Sequence, residues 1–142
     1  MFLQVYFLIV TIYGWYNWRI TTAESKITAI NSKARWLTAI IILTGSVVSG
    51  LLIKHIHLYL PQYFKITAAY PFTDSLVMVL SIAATVLLAK KKIENWYLWI
   101  LTDAACVVLY YKKGVYFLSL EYLIFLGLAS YGLYHWKKQL TK

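Results

Sequence analysis

The sequence predicts an all-α, polytopic membrane protein with about five transmembrane helices. Three observations carry the prediction. Of 142 residues, 61% are hydrophobic and only 13% charged, whereas a soluble domain averages about 45–50% apolar and about 25% charged residues. The apolar residues fall into five runs near the ~20 residues that a spanning helix needs, with lysine-rich connectors between them. Strand-period alternation is absent, which argues against a β-barrel.

The first run, Phe2–Trp18, is barely long enough to span. No basic segment precedes it and no small-residue cleavage site follows, so Met1–Trp18 reads as a mature helix and not a signal peptide. It closes in Trp15, Tyr16, Asn17 and Trp18, then Arg19. Trp15 and Trp18 share a face with Thr11. From this helix alone, the tryptophans read equally as an aromatic belt at the membrane surface or as a pocket wall. The Asn17 amide suits a ligand hydrogen bond.

Thr21–Arg35 is a polar, basic connector with room for a short surface helix. The second run, Trp36–Ile53, carries Gly45/Ser49 and Ser46/Gly50, two small-xxx-small pairs that let helix backbones approach closely in lipid. With no polar group larger than Ser or Thr in its middle, it reads as a packing or linking helix and not a pocket wall. The connector from His55 to Pro71 holds both prolines. His55 and His57 would face apart on a helix and lack a completing Cys or carboxylate, so no metal site and no cofactor are expected.

The third run, Asp74–Ala89, starts near an acid suited to a helix N-terminus and ends in Lys90, Lys91 and Lys92. Ser81 and Thr85 form a mild polar stripe. The fourth, Asn95–Tyr111, sets Trp96, Trp99 and Asp103 at i, i+3 and i+7, on one helix face. A carboxylate inside an apolar run is costly unless it faces a partner, water or a ligand. Indole planes beside an acid suit a flat, polar or cationic small molecule. The plainer alternative is an interfacial tryptophan pair with Asp103 as a packing group. After the turn Lys112-Lys113-Gly114, the fifth run, Val115–Trp136, buries Glu121 well inside apolar sequence, and an intramembrane acid points to function by default.

With five spans, ten basic residues fall on the side of the C-terminus and four on the other. The positive-inside rule then puts the C-terminus in the cytoplasm. The net charge of +9 is explained by this clustering at helix ends, so no nucleic-acid partner is expected. Cys106 is the single cysteine, which excludes an intrachain disulfide. HExxH and GxSxG are absent, and no nucleophile or metal cluster accompanies the acids, so the chain does not read as an enzyme.

The first and fifth runs end alike. Tyr13-Gly14-x-Tyr16-x-Trp18-Arg19 matches Tyr131-Gly132-x-Tyr134-x-Trp136-Lys137, the mark of a parallel internal repeat. With the block Glu94-Asn95-Trp96-x-x-Trp99-x-x-x-Asp103, with Lys113-Gly114-x-Tyr116, and with Asp74-Ser75 and Leu80-Ser81-Ile82-Ala83, the chain resembles the nicotinamide riboside transporters (PnuC-like) over nearly its whole length. That family shares a three-plus-one-plus-three helix plan with SWEET sugar transporters.

The resemblance implies one membrane domain over 1–142. Residues 1–19 would be the last helix of a first unit whose first two helices are lacking. Residues 20–73 would hold the polar connector, linker helix and loop, and 74–142 a second three-helix unit. It further implies facilitated uptake of nicotinamide riboside, an NAD precursor, across the cell (inner) membrane, with the substrate trapped by cytoplasmic phosphorylation and no cofactor. The implied pocket comprises Trp15, Asn17, Trp18, Trp96, Trp99 and Asp103, with Lys113 and Tyr116 beside it. Glu121 adds a carboxylate suited to a cationic substrate, which leaves thiamine as an alternative. Thr85-Val86 stand where the family often has Gln-Trp, making one wall less polar. A non-transporting membrane subunit and a homo-oligomer remain open as alternatives.

Overall fold

The computed structural model describes residues 2–20, 27–59 and 69–140. Among these the chain forms five helices: α1 (Phe2–Ile20), α2 (Ser32–Tyr59), α3 (Pro71–Ala89), α4 (Glu94–Lys112) and α5 (Tyr116–Leu140). By length and composition, α2, α3 and α5 are each apolar enough to cross a membrane. The less apolar α4 lies between α3 and α5 and turns its polarity inward, burying Asn95, Thr102 and Asp103. The chain is a polytopic helical membrane protein.

Capping moves the boundaries outward from the apolar runs. The Asn31 side chain accepts the Ala34 N–H at 2.7 Å, an N-cap bond, so Ser32–Arg35 belong to α2 and not to a connector. The part of the connector seen before Ser32 is not a surface helix. Thr28 bridges to Lys92, with its N–H on the Lys91 carbonyl at 3.2 Å and its carbonyl accepting the Ile93 N–H at 3.0 Å. Residues 21–26 and 60–68, with Pro61 and Lys65, lie outside the described residues. α3 starts at Pro71, whose ring presets a first-turn φ. Asp74 is therefore a first-turn acid and not the cap.

Two tight turns set the order of the last three helices. Lys91 at φ 51° reverses the chain after α3, and the Lys92 N–H reaches the Leu87 carbonyl at 2.9 Å. Gly114 at φ 75° does the same after α4, with the Val115 N–H on Tyr110 at 2.9 Å. Both follow the 6→1 pattern that ends helices at a left-handed residue. Such short links make α3, α4 and α5 antiparallel neighbours with α4 in the middle. The Ser119 hydroxyl ties α5 to the Val107 carbonyl of α4 at 2.9 Å.

α3 is the hub, packed by α1, α2 and α4. Small residues make the approaches possible. A Cβ on Gly50 of α2 would sit 2.5 Å from the Phe72 ring, and one on Gly14 of α1 would sit 3.3 Å from the Ala89 Cβ. One end of the bundle gathers the C-termini of α1, α3 and α5 and the starts of α2 and α4. There Asn17 and Trp18 both donate to the Ala89 carbonyl at 3.2 and 3.3 Å. Glu94 accepts the Ile30 N–H at 3.1 Å and the Arg35 guanidinium at 3.2 Å. At the other end Lys113 meets Asp74 at 2.8 Å.

One expectation for α2 is overturned. With α3 and α4 it walls a cavity of about 700 Å³. The cavity is built from alkyl side chains such as Ile42 and Leu43, so a search for buried polar groups passes over it.

Candidate functional site

A second cavity, of about 490 Å³, lies where four helices converge. Phe7 enters from α1 and Ser81 from α3; Trp96, Trp99 and Asp103 enter from α4 and Tyr122 from α5. Among the described residues α1 and α5 do not pack backbone to backbone, and this cavity occupies the space between them. Its volume lies in the range of small-molecule sites.

The polar groups around it divide into satisfied and waiting. Thr102 donates to the Leu98 carbonyl at 2.8 Å and Ser81 to Val77 at 2.8 Å, each within its own helix. Asp103 is different. It is the central residue of α4, about 14 Å from either end at 1.5 Å per residue. It is 4% exposed, and among the described residues none donates a hydrogen bond to its carboxylate. The Trp96 Nε1 is likewise buried with no acceptor. A carboxylate at this depth costs several kcal/mol unless a cation, donors or a proton offset it. The cavity thus presents one anionic acceptor and two indole faces to whatever enters.

Trp96 is held from behind. Its ring meets Trp136 of α5 edge to face at 5.4 Å, and Trp136 in turn lies 6.3 Å from Trp18 of α1. Gly132, one turn before Trp136, supplies the room: a Cβ there would fall 2.5 Å from the Trp96 ring. The two tryptophans matched in the repeated Tyr-Gly-x-Tyr-x-Trp segments therefore touch, and their neighbour is the indole that lines the cavity.

Of the residues singled out in the sequence, Trp96, Trp99 and Asp103 come together as the spacing predicts. Trp15 and Trp18 share a face with Thr11, also as predicted, but they line a separate hollow of about 250 Å³. Arg19 sits 5.2 Å over the Trp15 ring and Lys91 5.1 Å over Trp18. The Asn17 amide holds α1 to the end of α3. Lys113 pairs with Asp74 and lies 5.7 Å over Tyr110, at the far end of the bundle. Tyr116 packs on Tyr111 at 5.5 Å and is largely exposed. Glu121 is half-buried and does not line the Asp103 cavity, whereas its neighbour Tyr122 does. One residue along a helix is a turn of 100°, enough to change the face.

Sequence reasoning did not pick out Phe7, Ser81, Tyr122, Gly132 or Trp136 as part of the site. Ser81 had a signal in its stripe with Thr85, and Gly132 and Trp136 had one in the repeat. Phe7 and Tyr122 had none, because an aromatic residue in an apolar helix is unremarked. Among the described residues no group of His, Cys, Asp or Glu is arranged to hold a metal ion.

The chain is 34% identical over 158 residues to the nicotinamide riboside transporter PnuC of Escherichia coli strain K12, and equally to that of Shigella flexneri, covering 96% of this chain and 65% of each relative. It is 24% identical over 134 residues to the riboflavin/roseoflavin transporter RibM of Streptomyces davaonensis, covering 94% of this chain and 61% of that protein. It thus spans just under two thirds of the length of these curated relatives. No solved structure gives a significant match. The family model described as nicotinamide mononucleotide transporter matches residues 1–138, and the chain belongs to that family.

Proposed function

We propose that this chain binds nicotinamide riboside in the Trp96–Trp99–Asp103 cavity and carries out its facilitated uptake. The observation that carries the reading is Asp103, a buried mid-helix carboxylate that lines a cavity and, among the described residues, receives no hydrogen bond. The nicotinamide ring of the riboside is a flat cation. Desolvated indole faces favour such a ring by about 2 kcal/mol, and a carboxylate serves either its charge or its ribose hydroxyls. Kinship with riboside transporters supports the same substrate. A neutral flavin would leave Asp103 without a counter-charge, and thiamine, cationic and flat, is the closer competitor.

In this reading α3–α5 form the three-helix unit that holds most of the site, α2 is the linker, and α1 is the facing helix of a preceding unit. The C-terminus is cytoplasmic in the cell (inner) membrane, substrate is trapped by phosphorylation inside, and the protein performs no chemistry itself. Trp15, Asn17, Trp18, Lys113, Tyr116 and Glu121 do not line this cavity, and in this reading none of them contacts the ring.

The test is tryptophan fluorescence of the purified chain titrated with nicotinamide riboside, thiamine and riboflavin. Saturable quenching strongest for the riboside supports the reading. Preference for thiamine keeps the site and changes the substrate, and preference for riboflavin, or no quenching by any, contradicts it.

A further inference from the structure

A groove between α2, α3 and α4 encloses a cavity of about 700 Å³. Among the described residues its charged lining stands at one end. There the Arg35 guanidinium and Glu94 meet at 3.2 Å in the first turns of α2 and α4. Below them the walls are alkyl: Ile42 and Leu43 from α2, Leu76 and Leu80 from α3, Leu98 and Leu101 from α4. Along α2 the lining runs from Arg35 to Leu43, about 12 Å, and along α3 from Leu87 to Leu76, about 16 Å, at 1.5 Å per residue. One leaflet of the hydrocarbon core is about 15 Å deep. The groove is therefore one leaflet long, and among the described residues that line it the charged ones, Arg35 and Glu94, stand at the surface end.

Charge at that end selects the occupant. Both Glu94 oxygens receive the Ile30 N–H, and one also receives Arg35, so the acid is occupied. Arg35 gives Glu94 only its Nη2, and its side chain remains 62% exposed. Lys33 stands in the same first turn. Lys92 donates to the Thr28 hydroxyl at 2.7 Å, beside the groove residues Ala29 and Ile30. A planar guanidinium with donors to spare, flanked by lysines, is a phosphate seat.

We propose that this groove holds an acyl chain of an anionic phospholipid from the leaflet at the Lys90–Lys92 end, with the lipid phosphate on Arg35. The lipid braces the linker helix against α3 and α4, on the opposite side of α4 from the Asp103 cavity. The inference is independent of which substrate that cavity takes.

The test is native mass spectrometry of the delipidated chain, supplied separately with palmitoyl-oleoyl phosphatidylglycerol and the matching phosphatidylcholine. Retention of phosphatidylglycerol is expected to exceed phosphatidylcholine by about fivefold, the weight of one basic group near an anionic headgroup. Ala39→Phe fills the groove, leaves the Arg35–Glu94 pair in place and should abolish retention of both lipids. Arg35→Gln is the second variant and should level the preference while keeping the acyl chain. Equal retention of the two lipids by the parent, or a preference that survives both substitutions, overturns the proposal. A dimer that Ala39→Phe dissolves would also overturn it, by making the groove a seat for a second copy.

Discussion

Replacing Gly132 with alanine should move Trp96 into the cavity. The added Cβ would lie 2.5 Å from two atoms of the indole and 2.8 Å from a third. Carbon atoms in contact sit about 3.5–4.0 Å apart, so the ring must retreat by roughly 1 Å. It cannot slide along α5 freely, because Trp136 already packs edge-on against it at 5.4 Å, a contact worth about 0.5–1.5 kcal/mol. The open direction is the cavity, whose wall the indole forms. Overpacking of this kind costs about 1–3 kcal/mol of stability. Losing the indole as a stacking surface costs about 1–2 kcal/mol of binding, a five- to thirtyfold rise in Kd.

The assay is a fluorescence titration with nicotinamide riboside of four proteins: parent, Gly132→Ala, Trp96→Phe and the double variant. A phenylalanine ring stops short of the edge that the Cβ strikes. If Gly132 serves only to clear Trp96, the double variant binds no worse than Trp96→Phe alone, because neighbours that act through one contact are not additive. Unchanged affinity in Gly132→Ala, or a double-variant loss equal to the sum of the single losses, would mean that Gly132 does not act by clearing Trp96.

Three further outcomes follow from the same geometry. Lys113→Gln should leave riboside affinity unchanged in the same titration, because Lys113 serves Asp74 at the far end of the bundle; the half-exposed pair contributes about 0.2–1 kcal/mol to stability. Gly14→Ala should lower the thermal midpoint in detergent by the equivalent of about 1 kcal/mol, since its Cβ meets the Ala89 Cβ at 3.3 Å and pushes α1 off α3. Gly127→Ala, with nothing within 4 Å of its Cβ, should raise the same midpoint by up to about 1 kcal/mol through helix propensity.

The helices and the core of the site were legible because each leaves a periodic mark. Long apolar runs bracketed by lysines locate α1 to α5, and i, i+3, i+7 spacing alone places Trp96, Trp99 and Asp103 on one wall. Spacing names a face but not what the face meets. Thr11, Trp15 and Trp18 do share a face, yet it opens on a different hollow, and Asn17 spends its amide on Ala89. Glu121 was conspicuous as an acid, while the cavity took the residue next to it, Tyr122. The α2 groove escaped because small and alkyl residues read as packing until their neighbours are known. The repeat was visible in letters only; the structure gives its glycines work, Gly14 against Ala89 and Gly132 against Trp96.

The most direct test of the central claim, that Asp103 recognises a cation between indoles, compares two ligands of nearly one shape. Nicotinamide riboside carries a positive ring, and its dihydro form is neutral. Affinities of both for the parent and for Asp103→Asn give the charge preference and its origin. The parent should prefer the cation by tenfold or more, roughly the 1.4 kcal/mol that a single buried counter-charge readily supplies, and Asp103→Asn should erase the preference while keeping affinity for the neutral form. Equal affinity of the parent for the two, or a preference that persists without the carboxylate, would contradict it.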